Sequence, residues 1–266
     1  MTVNYQFQFN GINFGAGTPY AITNIDGLGG TSPLRIQDDN RGYIDGSYTG
    51  RDFYDARTIT FDFIVTGDGS HTAQYYYKQL QAALAPQQLA YYVDPTLGID
   101  PALSLQLFQF QLNADTGYKQ MRARSRGLVT SINPEFTYGY IVCQATFYCP
   151  DPRYYDDTAT VSTGTSVTLT NTGWATSCPV IKITSPNSSG TITDGTVTMS
   201  FNSVPTSSSL TIDLLQRVIY SGQTPTRNLM LASSTGWLSL APTYSGSATW
   251  VSTVGSMSVT SRNAYV

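Results

Sequence analysis

The sequence predicts a mainly β protein made of two domains. Its 266 residues are enough for two ordinary hydrophobic cores. With 23 glycines, 13 prolines, 19 tyrosines and only 12% charged residues, the composition is typical of a turn-rich β protein. Apolar and polar residues alternate in short runs along most of the chain, and only one stretch has helical spacing. We expect an N-terminal β-sandwich or split-barrel domain with one α-helix, followed by a C-terminal β-sandwich of the jelly-roll type.

Two prolines mark the expected boundary between the domains. Pro150 and Pro152 cannot donate to a sheet ladder, and each biases the preceding residue away from helix, so a strand should end near Tyr148. The stiff segment that follows predicts a hinge, with few contacts crossing it. We therefore expect one domain over residues 1–152 and a second over residues 153–266.

Alternating aromatic residues open the first domain. Tyr5, Phe7 and Phe9 place three rings on one face of a first strand, and Asn10-Gly11 is a turn signal. The stretch that follows, up to Ile59, is rich in glycine and aspartate and too polar for a core element. It predicts an extended excursion. A strand with an inward face then follows, formed by Ile59, Phe61, Phe63 and Val65.

One amphipathic helix is predicted after this strand. Its apolar residues recur with a helical period, Ser70 or Thr72 can cap it, and Pro86 ends it. The apolar residues are Ala73, Tyr76, Tyr77, Leu80, Ala83 and Leu84.

The later strands of the first domain carry two irregular features. The alternation of apolar residues changes phase after Leu107, which predicts a β-bulge near that residue. Arg122, Arg124 and Arg126 lie on one face of a later strand, where they either face solvent or contact a neighbouring subunit. A last inward-facing row precedes the hinge: Ile141, Cys143, Ala145 and Phe147.

The second half has no helical period. Short alternating runs recur about every ten residues, separated by Gly, Asn, Ser and Pro, which is the pattern of a β-sandwich. Its charged residues are sparse, whereas the first half carries 10 basic and 15 acidic residues, a net charge of -5.

Several of these motifs resemble siphophage distal tail proteins. They are the Gly-rich turn before Pro33-Leu34-Arg35, the Pro-Asp-Pro boundary, the Asn-Thr-Gly turn at 171–173, the Leu-Thr-Ile-Asp strand ending at Asp213 and the final Ser-Arg-Asn-Ala-Tyr-Val. The resemblance extends from about Tyr20 to Val266. It implies a galectin-like second domain, and a long loop or hairpin in the first domain that reaches toward neighbouring subunits.

The resemblance also implies a function and partners. The first domain would assemble into a homo-hexameric ring that joins the tail tube to the baseplate and adhesion apparatus. The partners would be the tail tube protein, a tail-associated hub protein, the tape-measure protein and receptor-binding or adhesin proteins. DNA would pass through the ring without specific binding, since the first half is acidic. The protein would be located at the virion tail tip after assembly in the host bacterial cytoplasm.

Charge suggests which residues form contacts between subunits. The loop from Asp38 to Arg57 is too polar and glycine-rich for a core, and loops of this length are usually functional or disordered. We expect its acidic residues to face the arginine row Arg122, Arg124 and Arg126 of an adjacent subunit. These acidic residues are Asp38, Asp39, Asp45 and Asp52.

The alternative function is a carbohydrate-binding module that attaches the phage to the host cell wall. Sugar sites use exposed aromatic faces, for which Trp174, Trp237 and Trp250 are the candidates. Core or interface positions are the other explanation of the three tryptophans, and they are favoured because the resemblance implies a domain of a kind that often serves as a scaffold.

Other classes of function are disfavoured. The single histidine, His71, lies at the start of the predicted helix, so a catalytic triad or a zinc site would lack partners. The glycines at 27, 29 and 30 lack the Gly-Lys-Ser/Thr ending of a phosphate loop. Three cysteines without metal spacing suggest buried thiols of a reducing compartment. No basic groove, leader segment or membrane span is apparent. We expect no enzyme activity and no cofactor.

Overall fold

The computed structural model describes the chain except for some short segments. The residues left out are 1–5, 31, 42–44, 46, 51, 86–92, 95–97, 100–104, 113–116, 132–138, 223, 227–228, 231–232 and 245. Tyr5, Pro86 and Leu103 therefore lie outside the described residues. The mainly β fold class predicted from the sequence is confirmed, with one α-helix in the part of the chain that is described.

Two compact units make up the chain. The first contains Met1–Gln88, Ser104–Tyr154 and Val266, and the second contains Leu89–Leu103 and Tyr155–Tyr265. The division within the chain falls two residues after Pro152. The grouping of Leu89–Leu103 with the second unit has no counterpart in the sequence pattern.

The first unit is built around one curled antiparallel sheet. Its main strands, in spatial order, are β2 (Ile12–Phe14), β1 (Gln6–Phe9), β11 (Gln106–Gln111), β12 (Lys119–Ser131), β13 (Ile141–Cys149), β8 (Arg57–Val65) and β3 (Tyr20–Asp26). The end strands β2 and β3 are consecutive in the chain, and the Gly15 N–H donates to the Tyr20 carbonyl at 2.9 Å between them. The sheet is therefore a nearly closed barrel.

A tight hairpin joins β1 to β2. Phe9 pairs with Ile12, so Asn10 and Gly11 form a two-residue loop, and both have positive φ angles, 45° and 78°. This geometry matches the right-handed twist of the strands, and Asn-Gly adopts it at low cost. The predicted turn is confirmed.

Phenylalanine rings fill the interior of the first unit. The rings of Phe7 and Phe61 lie 4.9 Å apart and those of Phe9 and Phe147 4.8 Å apart, both edge to face. Such pairs each contribute roughly 0.5–1.5 kcal/mol beyond the burial of their area. The buried phenylalanines are Phe7, Phe9, Phe14, Phe61, Phe63, Phe108, Phe110 and Phe147. The predicted inward rows of β8 and β13 are confirmed as part of this core.

The helix α1 spans Ala73–Leu84, as its apolar period predicts. Thr72 is the N-cap, and its hydroxyl accepts from the Tyr75 N–H at 3.4 Å. Ala73, Leu80 and Leu84 are buried. The helix therefore covers the sheet with one face, as expected for an amphipathic helix.

The β-bulge lies in a different strand from the one predicted. β11 pairs with β12 in unbroken register through Leu107, whose side chain is exposed, so the predicted bulge near Leu107 is wrong. The register shifts instead in β12, where Ser125 pairs with Phe147 and Gly127 pairs with Thr146. The change of phase at Leu107 arises because that side chain lies outside the barrel while the phenylalanines of β11 face inward.

Six further strands of the first half are only two residues long. They are β4 (Leu34–Arg35), β5 (Asp39–Asn40), β6 (Ser47–Tyr48), β7 (Phe53–Tyr54), β9 (Val93–Asp94) and β10 (Gly98–Ile99). β4 pairs only with β7, β5 only with β6 and β9 only with β10 among the described strands.

The second unit is a sandwich of two antiparallel sheets. One sheet has the order β15 (Thr160–Gly164), β24 (Met257–Ser261), β17 (Val180–Ile183), β20 (Leu210–Asp213), β21 (Val218–Ser221) and β22 (Thr224–Pro225). The other has the order β16 (Ser166–Leu169), β23 (Ala248–Ser252), β18 (Gly190–Thr193) and β19 (Thr198–Phe201). Two short strands, β14 (Tyr154–Asp156) and β25 (Ala264–Tyr265), lie outside these orders.

One core lies between the two sheets of the second unit. Ile181 and Ile212 of one sheet and Ile192 and Trp250 of the other belong to the same buried cluster. In β16, buried apolar residues alternate with exposed polar ones, which is the pattern that predicted a sandwich from the sequence.

Candidate functional site

The excursion predicted before Ile59 is a narrow β-hairpin, which we call the arm (residues 33–56). Leu34 pairs with Tyr54 in its base and Asp39 pairs with Tyr48 further out. The Asp55 N–H donates to the Pro33 carbonyl at 2.7 Å and closes the base. The two strands approach closely at Gly50, where a Cβ atom would lie 1.9 Å from the Gln37 carbonyl oxygen.

The arm exposes apolar side chains that the sequence analysis missed. It was expected to be polar, yet large apolar side chains lie on it with Ile36 62% exposed. The full set is Leu34, Ile36, Tyr48, Phe53 and Tyr54. A two-stranded hairpin is marginally stable on its own, and exposed apolar clusters mark interaction surfaces. The alternation of Leu34 and Ile36 was the available sequence signal.

A buried arginine holds the base of the arm. Arg57 is 1% exposed, and its guanidinium donates to Ser32 Oγ at 2.7 and 3.1 Å and to the Leu28 carbonyl at 2.7 Å. Burial lowers the pKa of Arg57, although an arginine keeps its charge. Ser32 in turn donates to the Pro152 carbonyl at 3.5 Å. The chain segments before and after the arm are therefore tied together at a single side chain.

The four predicted acidic contact residues all lie on the arm and belong to the first unit. Asp38 accepts from the Gly50 N–H at 3.3 Å, and Asp39 lies in β5. Asp38, Asp45 and Asp52 form no ion pair with any described residue. Their carboxylates are exposed and available to another molecule.

The predicted arginine row lies on the outer face of β12. Arg122 and Arg126 are exposed and Arg124 is half-buried. The guanidinium carbons of Arg124 and Arg126 lie 5.3 and 4.7 Å from the centroid of the Tyr148 ring. Within the described part of the chain, none of the three arginines has a carboxylate partner. The structure therefore does not bring the arm aspartates and this row together within one chain.

The three tryptophans differ in their surroundings. Trp250 is 0% exposed, within the core of the second unit, so it offers no face to a sugar or a partner and is removed from the candidate contacts. Trp237 is half-buried and packs against the same core. Trp174 is 58% exposed, with its ring 4.7 Å from that of Tyr265 in an edge-to-face arrangement.

The surroundings of His71 are those of a helix start. The His71 N–H donates to Asp68 Oδ1 at 2.8 Å, and its ring stacks on Tyr75 at 4.1 Å. The Tyr76 hydroxyl donates to the other oxygen of Asp68. These hydrogen bonds, first that from Tyr76, lower the pKa of Asp68 to about 2, and the same contact raises the pKa of Tyr76 to about 12. Asp68 therefore links the turn before α1 to Tyr76 in the first turn of the helix.

Cys149 and the surface cleft of the first unit offer no reactive side chain. Cys149 is buried, and this burial raises the pKa of its thiol to about 12, which makes it a poor nucleophile. A cleft of about 500 Å³ beside β3 is lined by Gly15, Ala16 and residues 21–25, none of which titrates. Among the described residues no group of three or more His, Cys, Asp or Glu side chains could hold a metal ion.

The only helix of the described segments is too short and too polar to cross a bilayer.

Comparison with known proteins gives matches in structure alone. No protein-family model and no curated protein matches the sequence. The chain is similar to the crystal structure of the SPP1 Dit (gp 19.1) protein, described as a paradigm of the hub adsorption apparatus in Gram-positive-infecting phages. The TM-score is 0.65 at 16% identity, covering 98% of this chain and 99% of that one.

Two structures of the phage P2 baseplate in its activated conformation also match. The one with Ca has a TM-score of 0.52 at 8% identity, covering 99% of this chain and 98% of that one. The one with Sr has a TM-score of 0.50 at 9% identity, covering 97% of each chain. The resemblance to distal tail proteins predicted from the sequence is confirmed at the level of the fold.

Proposed function

We propose that this chain is a structural protein of a phage tail, the distal tail protein of a siphophage. In this role it forms a homo-hexameric ring that joins the tail tube to the tail-tip adhesion apparatus. The observation that carries the proposal is the likeness to the SPP1 Dit protein, since it covers both units and nearly the full length of both chains. Fold alone does not determine function, so the surface must supply the rest.

The arm and the arginine row support assembly from identical copies. Exposed apolar side chains on the arm need a partner surface, and its exposed aspartates Asp38, Asp45 and Asp52 are opposite in sign to the arginines of β12. A contact between two different patches of the same chain is heterologous, and it closes into a ring or continues into a fibre. The six-fold closure follows from the family resemblance.

The proposed partners follow from position in the tail. The ring would contact the tail tube protein, a tail-associated hub protein, the tape-measure protein and receptor-binding or adhesin proteins. DNA would pass through without being bound, because the residues up to Asp157 carry a net charge of -5 and phosphate neutralisation by Lys and Arg is what gives non-specific affinity. Assembly would take place in the bacterial cytoplasm, and the second unit would be a galectin-like scaffold.

The carbohydrate-binding alternative has lost part of its support. Of the three tryptophans, Trp250 is in the core and Trp237 is half-buried, which leaves Trp174 as an exposed ring. A glycan array probed with residues 158–266 tests it: selective binding that Trp174→Ala abolishes would support this alternative.

Two measurements test the structural role. Native mass spectrometry with negative-stain microscopy should show a six-fold ring with a central hole, or a 28.9 kDa monomer that closes into a ring only on the tail. Antibodies against the chain should label the distal tip of intact virions. A stable, closed dimer both in solution and in the assembled tail contradicts the proposal.

A further inference from the structure

The bulge in β12 places two arginines on one tyrosine. Arg126 is the extra residue of the bulge, since Ser125 and Gly127 pair with consecutive residues of β13. The guanidinium groups of Arg124 and Arg126 lie 5.3 and 4.7 Å from the same Tyr148 ring. We call these three residues the arginine clamp. Arg122 precedes the bulge on the same strand and makes no cation–π contact with this ring within the described structure.

The clamp is positively charged, and neither of its arginines has a carboxylate partner among the described residues. Arg124 Nε is enclosed by the protein and has no hydrogen-bond acceptor among the described residues. Its remaining donors are the N–H groups of the two terminal nitrogens. Two guanidinium groups beside one ring repel each other, so an anion bound there is favoured.

The pairing of β12 with its partners does not require the bulge. Met121, Ala123 and Ser125 face inward before it, and Leu128 and Thr130 face inward after it. If Arg126 were absent, Gly127 would follow Ser125 directly, and the same residues would remain opposite the same partners in a regular strand. The extra residue therefore adds one guanidinium to the outer face, and bulges commonly re-aim side chains at functional sites.

We infer that the arginine clamp is a carboxylate-binding site, and that its ligand is an aspartate on the arm of a second copy of this chain. The occupant follows from charge: Asp45 and Asp52 are exposed carboxylates with no partner in the described structure, on a hairpin where Leu34, Ile36 and Tyr54 are 51, 62 and 53% exposed. Arginine pairs with a carboxylate through paired donors, which fixes direction as well as charge. The inference rests on the proposed ring and identifies which arginines of the row determine the contact.

Charge reversal with a complementary partner tests the clamp. We expect R124E/R126E to weaken self-association, measured by sedimentation velocity, by about tenfold or more, because the arm would then meet like charge. The control, Lys182→Glu, reverses an exposed charge on β17 of the second unit, outside the clamp and the arm, and should change self-association by less than about threefold. Deleting Arg126 should also weaken association while the melting temperature stays close to that of the wild type.

A mixing experiment then tests the identity of the ligand. D45K/D52K should fail to self-associate, but an equimolar mixture with R124E/R126E should assemble, since each reversed clamp then meets a reversed arm and each native clamp a native arm. Native mass spectrometry should show equal numbers of the two chains. Assembly of R124E/R126E alone at the wild-type level, no recovery in the mixture, or a wild-type chain that never self-associates overturns the clamp. The proposed tail function is tested separately by antibody labelling, which can succeed when the clamp fails.

Discussion

Arg57 is the side chain on which the base of the arm depends. It donates to two backbone carbonyls, Gly27 at 3.2 Å and Leu28 at 2.7 Å, and to Ser32 Oγ. The sequence showed only an arginine at the start of a strand, and arginine is rarely buried. Its acceptors lie 25 to 30 positions earlier in the chain, so no local pattern could predict its burial.

We expect Arg57→Met to lower the free energy of unfolding by about 1–3 kcal/mol, because it leaves buried acceptors without donors. Urea unfolding followed by circular dichroism measures the change. Arg122→Met, an exposed arginine of comparable size, is the control and should stay within about 0.5 kcal/mol of the wild type. Stability equal to the wild type in Arg57→Met would mean that burying the charge costs as much as its hydrogen bonds contribute.

The hydrogen bond between Asp68 and Tyr76 at the start of α1 should respond to acid in a defined window. The folded pKa of Asp68 is lowered to about 2, chiefly by the Tyr76 hydroxyl, whereas an unfolded aspartate titrates near 3.9. The stability that ionised Asp68 contributes to the folded state is therefore present above about pH 4 and is lost as the pH falls toward 2. Carboxyl NMR titration should give the low pKa, and Tyr76→Phe should return it toward the usual value. If the pKa of Asp68 is unchanged in Tyr76→Phe, the hydrogen bond from Tyr76 is not the cause of the low pKa.

At the scale of elements, the spacing of apolar residues predicted the helix and the buried strands, because local interactions decide where these form. α1 begins and ends where its apolar spacing and Thr72 indicated, and β8 and β13 bury the rows that alternation indicated. The alternation of apolar residues could not place the bulge. An exposed Leu107 in a regular strand and an inserted residue both shift that alternation by one position. Pairing across strands distinguishes the two, and it is a tertiary property.

The arm is expected to act between chains instead of within one. Deleting residues 42–52 should leave the melting temperature nearly unchanged, since the described residues of that segment lie outside the core clusters. It should abolish ring formation or tail attachment. Differential scanning calorimetry and native mass spectrometry measure the two effects. Complete rings and infectious tails from the shortened protein would show that the arm has no such role.

The arm also shows the limit of composition as a guide. The glycines and aspartates of the arm correctly indicated an excursion from the core. Because this composition is polar overall, the apolar residues between them were overlooked. The aspartates named from the sequence are exposed, as are Arg122 and Arg126, and Arg124 is half-buried. Tyr148, whose ring contacts Arg124 and Arg126, was not identified. Cross-strand contacts place that ring beside Arg124, and such contacts follow from register.

For the whole molecule, we expect the two domains to fold separately. Fragments 1–155 and 156–266 should each be soluble and unfold cooperatively, because each unit has its own buried cluster. Chemical unfolding of each fragment measures this. The fragment 156–266 lacks Leu89–Leu103, which groups with the second unit, so adding that segment is the matched comparison. If neither fragment folds alone, the boundary is misplaced.

The unequal placement of tryptophan makes each unit visible by a different signal. The chain has 3 tryptophans, Trp174, Trp237 and Trp250, and all of them lie in the second unit, while the first unit is packed with phenylalanine. Emission excited at the red edge of the indole band therefore follows the second unit alone in the intact protein. The first unit contributes to far-ultraviolet ellipticity but not to that emission. Comparing the two signals along one denaturation curve would show whether the units unfold together, without cutting the chain.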